Sequence, residues 1–98
     1  PGFTTMIKIA NMAETLGIPI TCHNTQPTIS TVAHAHFVAA TPGVPFKQEY
    51  NIEPVSIRDE TPVLVCPLNI SEGYMDIPTG PGLGIELDMD AVKKLSNI

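Results

Sequence analysis

The sequence predicts an α/β fold that consists of the last βαβ unit of a βα barrel and a tail that leaves the barrel. Helix and strand patterns alternate over residues 1–50, whereas prolines interrupt the apolar runs of residues 51–98. Polar residues follow two of the predicted strands, with His23 after the first and Glu49 near the end of the second. Because βα barrels carry their chemistry at the C-terminal ends of their strands, this order predicts part of an enzyme.

The first helix and the first strand are predicted from the spacing of apolar residues. Apolar side chains recur every three or four positions over residues 5–16, which indicates a helix. Thr4 or Thr5 can cap this helix, and Gly17 can end it in a left-handed conformation. Residues 18–22 are short, apolar and partly β-branched, which predicts a strand buried on both faces.

A second helix and a second strand complete the predicted βαβ unit. Thr28 can cap a helix that ends at the Thr-Pro-Gly sequence of residues 41–43, and residues 44–50 then return as a strand. Strand, helix and strand within about thirty residues form a unit whose strands are parallel and whose crossover is right-handed.

The second half of the chain is predicted to be irregular, with few regular elements. Residues 74–77 follow a Glu-Gly turn and resemble a short strand. Asp88 can cap a final helix over residues 89–96, and Lys93 and Lys94 are favourably placed near the negative end of that helix.

Composition excludes several classes of partner. A net charge of −5 and only five scattered basic residues argue against nucleic acid. The sequence has neither an apolar run long enough to span a bilayer nor an N-terminal targeting pattern, so we expect no membrane partner and a cytoplasmic location. Two cysteines are too few for a disulfide scaffold, and Cys22, inside a predicted strand, is expected to be a core residue.

His23 and Glu49 are the candidate catalytic residues. The His23 imidazole is suited to proton transfer near neutral pH, and adjacent parallel strands lie about 4.8 Å apart, so both side chains could address one ligand. Two simpler interpretations stay open at this point. His23 could be a loop histidine that bonds to backbone, and Glu49 could be a solvated carboxylate at a strand end.

Two other patterns suggest binding sites but favour structural roles. His34 and His36 lie on the predicted second helix, where positions two apart point about 200° from each other, so a shared metal ion is geometrically poor. The glycines of residues 80–84 lack the Lys-Ser/Thr of a phosphate-binding loop, and the proline among them favours a rigid turn.

Four segments together resemble a known family. They are residues 21–24 (TCHN), 37–42 (FVAATP), 48–49 (QE) and, most distinctively, 77–87 (IPTGPGLGIEL). They are similar to the C-terminal portion of the mandelate racemase/muconate lactonizing enzyme group of the enolase superfamily. The resemblance implies the end of a modified (β/α)7β barrel over residues 1–50 and a segment that returns to a separate capping domain over residues 51–98.

The resemblance also implies a reaction and roles for two residues. Family members abstract the proton α to a carboxylate, and Mg²⁺ stabilises the enediolate that forms. His23 matches the general acid/base at the end of the seventh strand. Glu49 matches the acid at the end of the eighth strand that donates a hydrogen bond to the substrate carboxylate.

These matches lead to specific expectations about the activity of the chain. The metal ligands of the family lie on strands that precede residue 1, so no metal-binding residue is named here and the 98 residues alone are expected to be inactive. The histidine favours an acid-sugar dehydratase or a racemase that acts on a small carboxylate, in a protein expected to form homo-oligomers. The alternative is a non-catalytic α/β module that oligomerises through open sheet edges.

Overall fold

The structure, a computed structural model, describes residues 2–44 and 47–97. Two longer helices lie in the first half and two shorter ones in the second, with one hairpin between the shorter pair. The helices are α1 (Phe3–Thr15), α2 (Ile29–Ala40), α3 (Ser56–Asp59) and α4 (Met89–Ser96), and the strands are β1 (Ile70–Ser71) and β2 (Tyr74–Met75). Within the described residues, no helix is long and apolar enough to cross a membrane.

Helix α1 is confirmed, but its start differs from the prediction. The N-cap is Gly2, whose carbonyl accepts the amide N–H of Met6 at 3.1 Å, and no side chain caps the helix. Thr4 and Thr5 therefore lie within the first turn, and the prediction that they cap the helix is wrong. The predicted stop is confirmed, because Gly17 has a φ of +66°.

Helix α2 is also confirmed, whereas the predicted cap by the Thr28 side chain is wrong. Thr28 has a φ of +62°, and its hydroxyl makes no capping hydrogen bond. Side-chain caps work from extended backbone, and the left-handed conformation of Thr28 removes that geometry. Only its main-chain carbonyl enters the helix, where it accepts the amide N–H of Val32 at 3.0 Å.

The two predicted barrel strands are wrong as strands in the part of the chain that is described. Residues 18–22, residue 44 and residues 47–50 form no backbone ladder, and residues 45 and 46 lie outside the described residues. The segments are nevertheless neighbours, because the amide N–H of Cys22 donates to Gln48 Oε1 at 3.1 Å. Side chains thus accept from amides that a parallel ladder would pair with carbonyls.

The core lies between α1, α2 and the extended segment that joins them. Ala10, Cys22 and Phe37 form its buried cluster. The partly buried apolar residues packed around that cluster are Met6, Ile20, Val38 and Val44. The prediction that Cys22 is a core residue is confirmed, and burial raises the pKa of its thiol.

The second half folds back on itself through short antiparallel contacts. Leu64 and Leu87 form an isolated antiparallel bridge, and the Asp88 amide N–H donates to the Val63 carbonyl at 2.9 Å. The predicted strand after the Glu-Gly turn is confirmed in part, since it ends at Met75 and pairs with Ile70. The short helix α3 was not predicted.

Helix α4 and its cap are confirmed. It begins at Met89, and the Asp88 carboxylate accepts the amide N–H groups of Asp90 and Ala91, each at 3.0 Å. This is the side-chain geometry that the sequence predicted, on an N-cap with extended backbone.

The glycine-rich segment of residues 80–84 forms a turn that contacts α2. His36 Nε2 lies 2.9 Å from the Leu83 carbonyl oxygen, and because a carbonyl only accepts, the ring nitrogen carries the hydrogen. Gly84 has a φ of +71°, and a Cβ there would lie 2.8 Å from Pro78 Cβ and 2.9 Å from the Gly80 nitrogen. Only glycine fits this position.

We predict that Gly84→Ala lowers the free energy of unfolding by about 3 kcal/mol, because the new methyl group clashes with backbone and the positive φ is strained. Urea unfolding measures the change. Gly82→Ala is the matched control, since Gly82 also has a positive φ of 63° but nothing within 4 Å of the added Cβ. It should cost about 1–2 kcal/mol, from the backbone conformation alone. Equal effects of the two variants would contradict the close approach at Gly84.

Candidate active site

The two side chains predicted to share a site are in contact. His23 follows the extended segment after α1, and Glu49 lies on the segment after α2. His23 Nδ1 is 2.8 Å from Glu49 Oε2. The His23 side chain is 77% exposed and that of Glu49 is 46% exposed, so the pair lies at an open surface.

The same carboxylate oxygen receives a second hydrogen bond. The amide N–H of Asn24 donates to Glu49 Oε2 at 2.6 Å. This bond lowers the pKa of Glu49, partial desolvation opposes it, and the charge and hydrogen bond of His23 lower the pKa further. At neutral pH Glu49 is therefore an ionised acceptor. His23 must then donate through Nδ1–H, which leaves Nε2 with a lone pair when the ring is neutral.

Asn24 connects this site to the interior. It is only 3% exposed, and its side-chain Nδ2 donates to Thr31 Oγ1 at 3.2 Å and to the Glu49 carbonyl at 3.4 Å. Its Oδ1 is buried and has no hydrogen-bond partner among the described residues. Such an atom costs about 1–3 kcal/mol when it is left unpaired. Sequence analysis gave Asn24 no role, although an amide directly after the histidine at a strand end was a possible signal.

Arg58 fixes the chain that follows Glu49. Its Nη1 donates to the carbonyl of Asn51, and its Nη2 donates to the carbonyl of Glu53 at 2.6 Å. Asp59 pairs with the same guanidinium, Nε to Oδ1, at 2.8 Å. The Arg58 bond, together with the amide N–H of Val55, lowers the pKa of Asp59 to about 2. Sequence analysis missed this clamp, whose signal is the only arginine of the chain followed by an aspartate.

A cavity of about 370 Å³ lies between the start of α2 and the second half of the chain. Thr28, Thr31, Tyr50 and Arg58 contribute its polar lining, among apolar side chains that include Val63. Neither His23 nor Glu49 lines this cavity, nor either of the two cavities beside α1 and α2. Among the described residues, the pair thus lies outside these three cavities.

The remaining histidines are separate from the site. His34 Nδ1 lies 2.8 Å from the Ser30 carbonyl oxygen within α2, and His36 bonds to the glycine-rich turn. Both rings thus bond within the chain, which fits the structural roles that the sequence predicts, and those roles stay a prediction. Over residues 2–44 and 47–97, no three His, Cys, Asp or Glu side chains come together as a metal-binding cluster.

A known family matches most of this chain. The family model for enolase C-terminal domain-like proteins matches residues 1–91. This chain belongs to that family. Its α/β fold is that of the enolase C-terminal domain, as the resemblance implied.

Named relatives of the chain are enzymes. It is 37% identical over 89 residues to muconate cycloisomerase 1 of Rhodococcus opacus, covering 88% of this chain and 22% of that protein. It is 36% identical over 92 residues to D-xylonate dehydratase of Haloferax volcanii, covering 88% and 20%.

A solved structure is also similar to this chain. It is a Burkholderia xenovorans protein provisionally named an L-alanine-DL-glutamate epimerase, with magnesium and fumarate bound. The TM-score is 0.80 at 27% sequence identity, over 95% of this chain and 22% of that one. The chain thus spans about a fifth of the length of these relatives.

We predict that the contribution of Glu49 to the free energy of unfolding is lost at acid pH. Its pKa in the folded chain lies below the ordinary value of 4.5, so its contribution is fully present above pH 4.5 and is lost as pH falls through the lowered pKa. Glu49→Gln should therefore flatten the acid limb of the stability profile, measured by urea unfolding at successive pH values. Asp59 titrates in both proteins and cancels from the difference. An acid limb of unchanged slope in the variant would contradict the bonds to Oε2.

Proposed function

We propose that this chain supplies the proton-transfer pair of a larger enzyme that abstracts the proton α to a substrate carboxylate. The contact between His23 Nδ1 and Glu49 Oε2 at 2.8 Å carries the proposal. Family membership supports the class of reaction, and the names of the relatives, which include a cycloisomerase and a dehydratase, support small carboxylates as substrates.

In this mechanism His23 is the general base. The ionised Glu49 holds the hydrogen on Nδ1, so Nε2 faces outward as the basic atom and takes the α-proton from the substrate. The ring then carries both hydrogens and a positive charge, which the Glu49 carboxylate stabilises. In a racemase or a dehydratase the imidazolium can return its proton to the substrate carbon or to a leaving hydroxyl group.

This role for Glu49 differs from the one that the resemblance implies. A hydrogen-bond donor to the substrate carboxylate must be protonated, whereas the Asn24 amide lowers the pKa of Glu49 and favours the ionised form. The donor role stays a prediction. The geometry of residues 23, 24 and 49 favours an acceptor that orients His23.

We further propose that residues 1–50 are the last elements of a (β/α)7β barrel and that residues 51–98 return to a capping domain. The order of α1, the extended segment, α2 and the segment of Glu49 supports this division. His23 favours a dehydratase or racemase over the lysine-based branches of the family. Magnesium stays a prediction, with ligands expected outside these 98 residues.

We predict that His23→Asn abolishes exchange of the substrate α-proton with solvent deuterium, because it removes the basic nitrogen. The loss should be about 100- to 10,000-fold, which is the usual contribution of a general base. Proton NMR measures the exchange. A panel of acid sugars is incubated in D₂O with the larger protein that contains this chain. His34→Asn is the control, since His34 bonds only within α2. Exchange that persists in the His23 variant removes this residue from its role.

The second candidate function is a non-catalytic module that forms homo-oligomers, and one surface favours it. Ile9, Met12 and Leu16 share one side of α1 at helical spacing, and Met12 and Leu16 are 66% and 68% exposed. Such a stripe is typical of a surface that packs against another chain. A catalytic protein can use the same stripe in its own assembly.

We predict that Met12→Lys with Leu16→Lys weakens self-association at least about 100-fold, because two apolar side chains lose their burial. Sedimentation velocity over a range of concentrations measures it. Ile52→Lys is the control, since Ile52 is more exposed at 84% but is not part of α1. Association that is unchanged in the double variant, or equally weakened in the control, argues against the stripe as the interface.

A further inference from the structure

Asn24 donates hydrogen bonds to both the side chain and the main chain of Glu49. Its main-chain N–H donates to the Glu49 carboxylate at 2.6 Å, and its side-chain amide donates to the Glu49 carbonyl at 3.4 Å. We propose that Asn24, locked by Thr31, is the positioning residue that sets the ionised Glu49 carboxylate against His23. The catalytic consequence of this inference rests on the proposed function, whereas its effect on Glu49 does not.

Thr31 determines which atom of the Asn24 side chain can bond to it. Its hydroxyl hydrogen is donated to the Gln26 carbonyl at 3.1 Å, so the oxygen presents a lone pair to Asn24 Nδ2. The two hydrogens of the Asn24 amide are then both used, one on Thr31 and one on the Glu49 carbonyl. The chain of bonds runs from the loop before α2, through the first turn of α2, to the residue that carries the carboxylate.

The network permits only one orientation of the Asn24 amide. A flipped amide would set Oδ1 against the Glu49 carbonyl, which only accepts, and against a Thr31 oxygen whose hydrogen is already used. The observed orientation instead leaves Oδ1 buried without a partner among the described residues. Because Asn24 and Thr31 are both buried, water does not readily replace a bond that is lost. The Asn24 side-chain amide is therefore oriented so that both hydrogens of Nδ2 are donated.

This network sets the backbone position of residue 24, and that position controls Glu49. The N–H of Asn24 is the largest cause of the lowered pKa of the carboxyl group. If the side-chain anchor is lost, the N–H moves from Oε2 and the carboxyl group becomes easier to protonate. A protonated Glu49 is a weaker acceptor for the His23 Nδ1–H, so the ring is held less firmly with its hydrogen on Nδ1.

The test compares two substitutions of Thr31. Thr31→Val keeps the shape and removes the hydroxyl, and Thr31→Ser keeps the hydroxyl. Carbon NMR of the Glu49 carboxyl group against pH, in the whole 98-residue chain, should show an upward shift of its pKa in the valine variant alone. Thr41→Val is the control, because the Thr41 hydroxyl likewise donates to a main-chain carbonyl, that of Phe37, but lies outside the network.

Several results would overturn the inference. One is a Glu49 pKa that stays in place in a folded Thr31→Val protein, and another is an equal shift in the serine variant. If the valine variant does not fold, the unmodified chain still provides a test. The amide proton shift of Asn24 must follow the titration of Glu49, and a flat response contradicts the contact.

A parallel measurement separates this inference from the proposed function. Under the proposed function, Thr31→Val should slow α-proton exchange by up to about 100-fold, as small displacements of catalytic groups do. Thr31→Ser should exchange the α-proton at the rate of the unsubstituted protein. If His23→Asn retains exchange while Thr31→Val raises the pKa of Glu49, the proposed function fails and the positioning role stands. If His23→Asn abolishes exchange and Thr31→Val changes neither quantity, the positioning role fails alone.

Discussion

One carboxylate oxygen, Oε2 of Glu49, joins the two parts of the candidate site. It accepts from the Asn24 amide and from the His23 ring, which lie about 25 residues away along the chain. Hydrogen bonds to an ionised acceptor are shorter and stronger than neutral ones, and the 2.6 and 2.8 Å distances fit that class. Because α2 separates the two segments, these bonds close the loop that brings the His23 ring and the Glu49 carboxylate together.

The way in which the segments meet explains both the site and the missing ladder. In a parallel ladder the amides of residues 22 and 24 would bond to main-chain carbonyls. Here the side chains of Gln48 and Glu49 accept from them instead. The amide that would have belonged to a sheet thus lowers the pKa of a carboxyl group, so the local backbone arrangement and the electrostatics of the site have one cause.

Much of the fold could be predicted where the signal is local. Apolar spacing predicted α1 and α2, Gly17 predicted a left-handed stop, and the Asp88 cap follows from the preference of a short acidic side chain for helix amides. The threonine caps were wrong for two reasons. Helix α1 begins earlier, with Gly2 as its N-cap, and the positive φ of Thr28 removes the extended backbone from which a hydroxyl caps. The strands were wrong because a strand exists only through its neighbours, which a single apolar run does not specify.

The candidate site likewise has one part that the sequence predicts and another that it does not. That His23 and Glu49 meet could be predicted from strand ends alone, since βαβ topology brings such ends to one edge. For Asn24 the sequence offers only an amide next to His23, because its bonds depend on which hydroxyl and which main-chain carbonyl lie nearby. For Arg58 the sequence offers only the Arg-Asp pair, because the two carbonyls to which the arginine donates are groups that every residue possesses.

The exposure of the pair decides which group sets its geometry. An ion pair that water reaches contributes little to holding two side chains in place. His23 is mostly exposed and therefore cannot fix Glu49, whereas Asn24 is buried and bonds to it twice. The carboxylate is thus held from the inside and the imidazole is held by the carboxylate. A ring held on one side and otherwise exposed to solvent can turn without disturbing the fold, as the proposed proton transfer requires.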